Sequence, residues 1–157
     1  MIRHIVAIDT QNGLAKNGGM PWSIPEDEQY FTDQTKTHGG VILMGMGTYK
    51  TFREPLKDRT NYVLTHQTES VPGATLVHDL DTFFAEITGD VWVIGGAEVF
   101  KQTLDRADEL YITRIEASFD CDRFYPEFTD RFKLVSQSEL HTQNGFSFTY
   151  EIYRRNP

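Results

Sequence analysis

Val91-Trp92-Val93-Ile94-Gly95-Gly96-Ala97-Glu98-Val99-Phe100 is an apolar run that meets two glycines and continues with helical spacing to Leu104. Four apolar residues, three of them β-branched, read as a strand. The same succession occurs upstream, where Val41-Ile42-Leu43-Met44 reaches Gly45-Met46-Gly47-Thr48 and turns into a helix through about Phe52. A strand that ends on glycines and delivers a helix N-terminus suits an anion, because free N–H groups and the positive dipole end point the same way. Each turn taken alone is equally a plain tight turn.

Outward from these units, strands and helices alternate. Ile2 to Ile8 is a first strand, and Asn12-Gly13 and Asn17-Gly18-Gly19 mark a loop. A helix from Pro25 runs to about Thr37, where His38-Gly39-Gly40 stops it. Asn61 to Thr65 and Ala74 to Val77 are further strands, and Asp79 to Ile87 has helical spacing. Leu110 to Ile115 alternates, which puts Thr113 on the opposite face from Ile112 and Arg114. Two strands close the chain, Leu134 to Leu140 and Phe146 to Tyr153, with Asn144-Gly145 as the turn between them. The pattern predicts an α/β fold in one domain over residues 1–157. Its mostly parallel central sheet has about eight strands, a C-terminal antiparallel hairpin and flanking helices. Ligands of such sheets sit at the carboxyl ends of the strands. Gly45-Met46-Gly47, Thr65-His66 and Gly95-Gly96 fall there and suit a long, phosphorylated ligand, although none is a full GxGxxG fingerprint.

The stretch Met20-Pro21-Trp22-Ser23-Ile24-Pro25-Glu26-Asp27-Glu28-Gln29-Tyr30-Phe31 opens the first helix. Pro25 suits the first helical position. Asp27 and Phe31 stand four apart and share a face, a candidate acid site in an apolar pocket. The three carboxylates serve equally well as a solvated first turn favoured by the helix dipole, with Trp22 in the core.

A net charge of −8 over 157 residues argues against nucleic acid as a partner, while local cations can still hold small anions. The single cysteine, Cys121, allows no internal disulfide and lies between acidic residues that do not lower a thiol pKa. No apolar run approaches membrane-spanning length. The N-terminus reads as a strand and not as a signal peptide, so a cytoplasmic location is expected.

In their order and spacing, Ile5-Val6-Ala7, Met20-Pro21-Trp22, Asp27 with Phe31, Gly45 with Thr48-Tyr49, and Pro55-Leu56 with Arg59 resemble the dihydrofolate reductase family. Leu64-Thr65-His66-Gln67, Val93-Ile94-Gly95-Gly96, Tyr111-Ile112-Thr113, and Asp122 ahead of Tyr125-Pro126 carry the resemblance over nearly the whole chain. It implies a dihydrofolate-reductase-like fold, a monomer, no metal, and NADPH as hydride donor to C6 of dihydrofolate while a proton reaches N5. By resemblance Asp27 holds the pterin through N3 and the 2-amino group, Thr113 supports it, and Trp22 orders a water. Ile5, Ala7, Phe31 and Ile94 wall the pterin, Phe31 and Phe52 flank the p-aminobenzoyl ring, and Arg59 takes the glutamate carboxylate, a task for a planar fork. Ala7 and the loop from Gly13 through Leu14 to Gly19 and Met20 enclose the nicotinamide. Gly95, Gly96, Ala97, Glu98 and Val99 receive the pyrophosphate, with a cis Gly95-Gly96 peptide. Thr65 and His66 contact the 2′-phosphate and favour NADPH over NADH, and His78 lines the adenine end. Gly45, Met46, Gly47, Thr48, Leu64, Ile94, Phe100 and Gln102 complete the cofactor wall.

Some positions depart from the family pattern. Met46 stands where an arginine is usual and Glu98 where a second cation is sometimes found, which removes charge-assisted contacts to a polyanion. Lys50, Arg53 or Lys101 are candidate replacements. Glu28 replaces an apolar residue, Phe100 a tyrosine, and Ala15 and Cys121 replace glycines of two adjoining loops. The alternatives are a reductase of another pterin or of a riboflavin-pathway pyrimidine, and a folate- or nucleotide-binding module without turnover.

Overall fold

In the computed structural model, which describes residues 1–52 and 54–157, the chain begins β1 (Ile2–Ile8), β2 (Gly13–Ala15), α1 (Pro25–Thr35), β3 (Val41–Gly45), α2 (Met46–Thr51), β4 (Thr60–Leu64) and β5 (Ala74–Val77). It continues α3 (Leu80–Glu86), β6 (Val91–Gly95), α4 (Ala97–Thr103), a 3₁₀ turn (Leu104–Arg106), β7 (Glu109–Ile115), β8 (Arg123–Phe124), β9 (Phe132–Gln137), β10 (His141–Gln143) and β11 (Phe146–Arg155). The central sheet runs β10-β11-β7-β1-β6-β3-β4-β5, with β9 also paired to β11. From β7 to β5 neighbouring strands are parallel, and the C-terminal strands are antiparallel.

Period-two alternation sorts the strand residues into two cores. Leu43, Val91 and Val93 pack with Phe83 of α3 and Val99 and Phe100 of α4. Ile42, Met44, Trp92 and Ile94 face the other way, toward Tyr30 and Phe31 of α1 and Tyr49 of α2. β6 is buried along its whole length, as a central strand flanked on both faces requires.

The C-terminal edge differs from a simple hairpin. Asn144 and Gly145 have φ 54° and 80°, as a two-residue hairpin turn requires, but they join β10 to β11. The strand expected from Leu134 to Leu140 stops at Gln137, and Ser138 ties the break to β11 by accepting from Tyr150 N at 2.9 Å. β10 and β9 thus share one edge of β11 in succession. The small β2–β8 sheet is too short to leave a pattern in the sequence.

Buried Asp9 fastens the loop after β1. Its carboxylate accepts the N–H of Gln11 at 2.9 Å, Gly13 at 2.7 Å and Phe119 at 3.1 Å. Asp122 N donates to Ala15 O at 2.9 Å, so the two loops brace each other. Cys121 packs into this joint, where burial and the nearby Asp9 carboxylate push its thiol up to about 11. Among the described residues, no helix is long and apolar enough to cross a membrane.

A Cβ on Gly13 would stand 2.5 Å from Cys121 Cβ and 2.6 Å from its sulfur. Gly13→Ala is expected to destabilise the protein by ~1–3 kcal/mol in urea titration, as overpacking does. Cys121→Gly in the same chain should restore part of the loss.

Candidate active site

Strand register brings the carboxyl ends into one row. Ala7 pairs with Thr113, Met44 with Gly95, Gly45 with Leu64, and Leu64 with Val77. Above this row lies a cleft of about 1450 Å³, roofed by α1 on one side and by the loop carrying Leu14 to Met20 on the other. Ile5, Ala7, Asp27, Phe31, Phe52, Ile94 and Thr113 line it, as do Leu14, Met20, Leu64, Thr65, His66 and His78. Gly45, Met46, Gly47, Thr48, Gly95, Gly96, Ala97, Glu98, Val99, Phe100 and Gln102 complete the wall. Gly13, Trp22 and Arg59 do not line this cleft. Gly13 is held behind it on Asp9, and Trp22 packs behind Ala7. Arg59 edges a separate, shallower pocket with Phe52 and Leu56.

The three carboxylates that open α1 point to three places. Glu26 turns to the C-terminal hairpin, where it meets His141 Nδ1 at 2.9 Å and the Tyr150 hydroxyl at 3.1 Å. Glu28 is exposed at the cleft rim. Asp27 faces the sheet, and the Thr113 hydroxyl donates to its Oδ1 at 2.6 Å. Burial among apolar walls raises the Asp27 carboxyl from 3.8 to about 6. The Thr113 bond pulls it back, while Glu28 and Glu26 add to the rise. Trp22 Nε1 is the one buried side-chain polar atom among the described residues that has no partner.

Asp27, Phe31 and Thr35 are four residues apart on α1 and form one stripe, about 12 Å from end to end at 1.5 Å per residue. Thr35 accepts from Arg59 Nη1 at 2.9 Å, and Arg59 Nε donates to Lys57 O at 2.9 Å. Asn61 staples the loop that carries Arg59, binding Leu56 N at 3.1 Å and Leu56 O at 3.0 Å. Arg59 makes no ion pair among the described residues.

On the opposite side, the two glycine turns close on one another. A Cβ on Gly45 would meet Val99 Cγ2 at 3.1 Å, and one on Gly96 would meet Thr48 Oγ1 at 3.4 Å. The Gly95-Gly96 peptide is cis. Gly45 and Gly96 begin α2 and α4 without a side-chain cap, leaving first-turn N–H groups for another acceptor. His78 Nδ1 is 2.8 Å from Thr65 O, which joins the ends of β4 and β5. Lys50 and Lys101 are exposed and off the cleft wall, and Arg53 lies outside the described residues. Sequence reasoning missed Tyr30, Thr32, Leu80, Asp81, Arg106 and Arg123 as lining residues.

The family model for dihydrofolate reductase matches residues 1–155. A dihydrofolate reductase of Bacillus subtilis is 34% identical over 161 residues, covering 99% of this chain and 95% of that protein. One from Aedes albopictus is 30% identical over 180 residues, covering 98% of this chain and 96% of its own. A solved dihydrofolate reductase from Enterococcus faecalis, complexed with NADP(H) and RAB-propyl, superposes with a TM-score of 0.89 at 28% identity, covering 100% of this chain and 97% of that one.

Thr113→Val keeps the shape and removes the bond that holds the Asp27 pKa down. The Asp27 carboxyl should then titrate at a higher pH than in the wild type, which ¹³C NMR of the labelled side chain in both proteins reads directly.

Proposed function

The chain belongs to the dihydrofolate reductase family, and we propose that the cleft over the strand ends is where it works, with Asp27 as the group that holds and delivers the proton. The reaction is the NADPH-dependent reduction of 7,8-dihydrofolate to 5,6,7,8-tetrahydrofolate. The observation that carries the assignment is the half-buried Asp27–Thr113 pair, whose carboxyl is raised to about 6. Near neutral pH such a group exchanges a proton readily, as a general acid must.

Thr113 occupies one lone pair of Asp27 Oδ1. The remaining acceptor sites match the paired N3–H and 2-amino donors of a pterin edge. Ile5, Phe31 and Ile94 wall the ring and exclude water from the developing charge. Phe31 and Phe52 bracket the middle of the substrate. The unpartnered Trp22 N–H is a donor available to a water behind the ring. Arg59, held by Thr35 and Lys57, keeps donors free for the glutamate carboxylate at the far end of the α1 stripe.

The cofactor side fits NADPH: the approach of Gly45 to Gly95-Gly96 leaves a Cβ-free cradle beside two uncapped helix starts. NADPH supplies the hydride. Ala7, Leu14 and Met20 cover the nicotinamide, Gly95 to Val99 take the pyrophosphate, and Thr65, His66 and His78 stand at the adenosine end. We further propose a cytoplasmic, single-domain monomer, supported by one unpaired cysteine and a family match over residues 1–155. Gel filtration and cell fractionation test the oligomeric state and the location.

Dihydrofolate-dependent NADPH oxidation, followed by absorbance, tests the reaction itself, and no turnover by folded protein would reject the assignment. Asp27→Asn should lower the rate by ~10²–10⁴-fold at neutral pH, with a loss that shrinks as pH falls and solvent supplies the proton. An unchanged pH profile rejects Asp27 as the acid. Arg59→Ala should raise KM for dihydrofolate by about tenfold or more while sparing a pterin that lacks the glutamate.

A further inference from the structure

The cleft that takes a polyanion is short of positive charge. Asp27, Glu28, Asp79, Asp81 and Glu98 line it. Among the described residues its walls carry no lysine and two guanidinium groups, Arg106 and Arg123. Arg123 pairs in register with Ala15 and so belongs to the loop end of the cleft. Arg106 belongs to the other end. α4 runs straight into the 3₁₀ turn, and Glu98, Gln102 and Arg106 form a ladder along one wall of the cleft. Gln102 Nε2 reaches Glu98 Oε1 at 3.4 Å.

Across from the ladder's end is the β5–α3 corner. His78 is bound to Thr65 there, and Asp81 follows three residues later. Asp81 is the ion-pair partner of Arg106, whose guanidinium carbon lies 5.1 Å from the centroid of the Phe84 ring. The Asp81 side chain is 81% exposed and that of Arg106 37%, so the pair is a weak restraint in water. A phosphate monoester carries close to two negative charges at neutral pH and offers three oxygens to a planar fork. It outcompetes one solvated carboxylate for the same guanidinium.

We propose that Arg106 exchanges Asp81 for the 2′-phosphate of NADPH and supplies the positive charge that, beside Thr65 and His66, makes this chain prefer NADPH over NADH. Asp81 and the Phe84 ring hold the guanidinium at the cleft mouth until the phosphate arrives. The cation missing at Met46 and Glu98 is thereby supplied from the far end of the same helix-and-turn segment. The inference rests on the reading that the protein uses NADPH.

The test is the Kd of NADPH and of NADH, by quenching of tryptophan fluorescence, for the wild type, Arg106→Ala, Arg106→Lys and Asp81→Asn. Arg106→Ala should weaken NADPH by ~10- to 100-fold, the range of a lost charge-assisted contact, and flatten the salt dependence of NADPH binding. NADH should change by less than about twofold, since it lacks the group that Arg106 recognises. Arg106→Lys should recover part of the NADPH affinity, and Asp81→Asn, which frees the guanidinium, should tighten NADPH. Equal weakening of both cofactors in Arg106→Ala, or no change in either, overturns the inference. A wild type that binds NADPH no better than NADH overturns it together with the reading beneath it. A wild-type preference that survives undiminished in Arg106→Ala overturns the inference alone.

Discussion

The bond from the Thr113 hydroxyl to Asp27 is the contact through which a helix and a sheet become a site. It fixes how α1 is rotated about its own axis. Successive helical residues differ by about 100°, so a slip of one residue would turn Glu26 or Glu28 into the cleft in place of Asp27. The opposing anchor is Glu26, whose carboxylate takes His141 and Tyr150 and whose N–H donates to Gln143 at 2.6 Å. Two neighbouring carboxylates therefore hold α1 from opposite sides, one against β7 and one against the β10–β11 hairpin.

With the rotation fixed, the length of α1 does the remaining work. Asp27, Phe31 and Thr35 lie on one line, and Thr35 hands the line on to Arg59. Arg59 is in turn placed by Asn61, a buried polar residue at the start of β4 whose amide closes the preceding loop. In the proposed function, the substrate's polar head group, aromatic middle and carboxylate tail are measured against one rigid element and one stapled loop.

Much of this is legible in the sequence. The strands around Val41 and Val91 declare themselves by apolar runs that end in glycine, and those glycines mark the cleft edge because parallel strands share a carboxyl end. Asp27 and Phe31 declare a shared face by spacing. What the sequence hides is packing between distant segments. Gly13 reads as part of a cofactor loop, yet its lack of a side chain is required by Cys121 behind it. The strand from Leu134 breaks at Ser138 because Ser138 bonds to Tyr150, twelve residues on. Arg106 and Asp81 have no meaning as a pair until α3 and the turn after α4 lie side by side.

The Asp27 pocket has a consequence for the fold as a whole. A carboxyl raised from 3.8 to about 6 binds its proton more tightly in the folded chain than in the unfolded one. Between those two values Asp27 is more protonated in the folded state, so its contribution to stability falls as pH rises, and above about 6 its full penalty remains. Two pKa units correspond to about 3 kcal/mol, a large share of the 5–15 kcal/mol that roughly spans the stability of whole domains. At neutral pH the molecule is folded in spite of its reactive centre. In the proposed function, a substrate whose donors meet the ionised carboxylate offsets that desolvation penalty, so the ligand also completes the protein's own core.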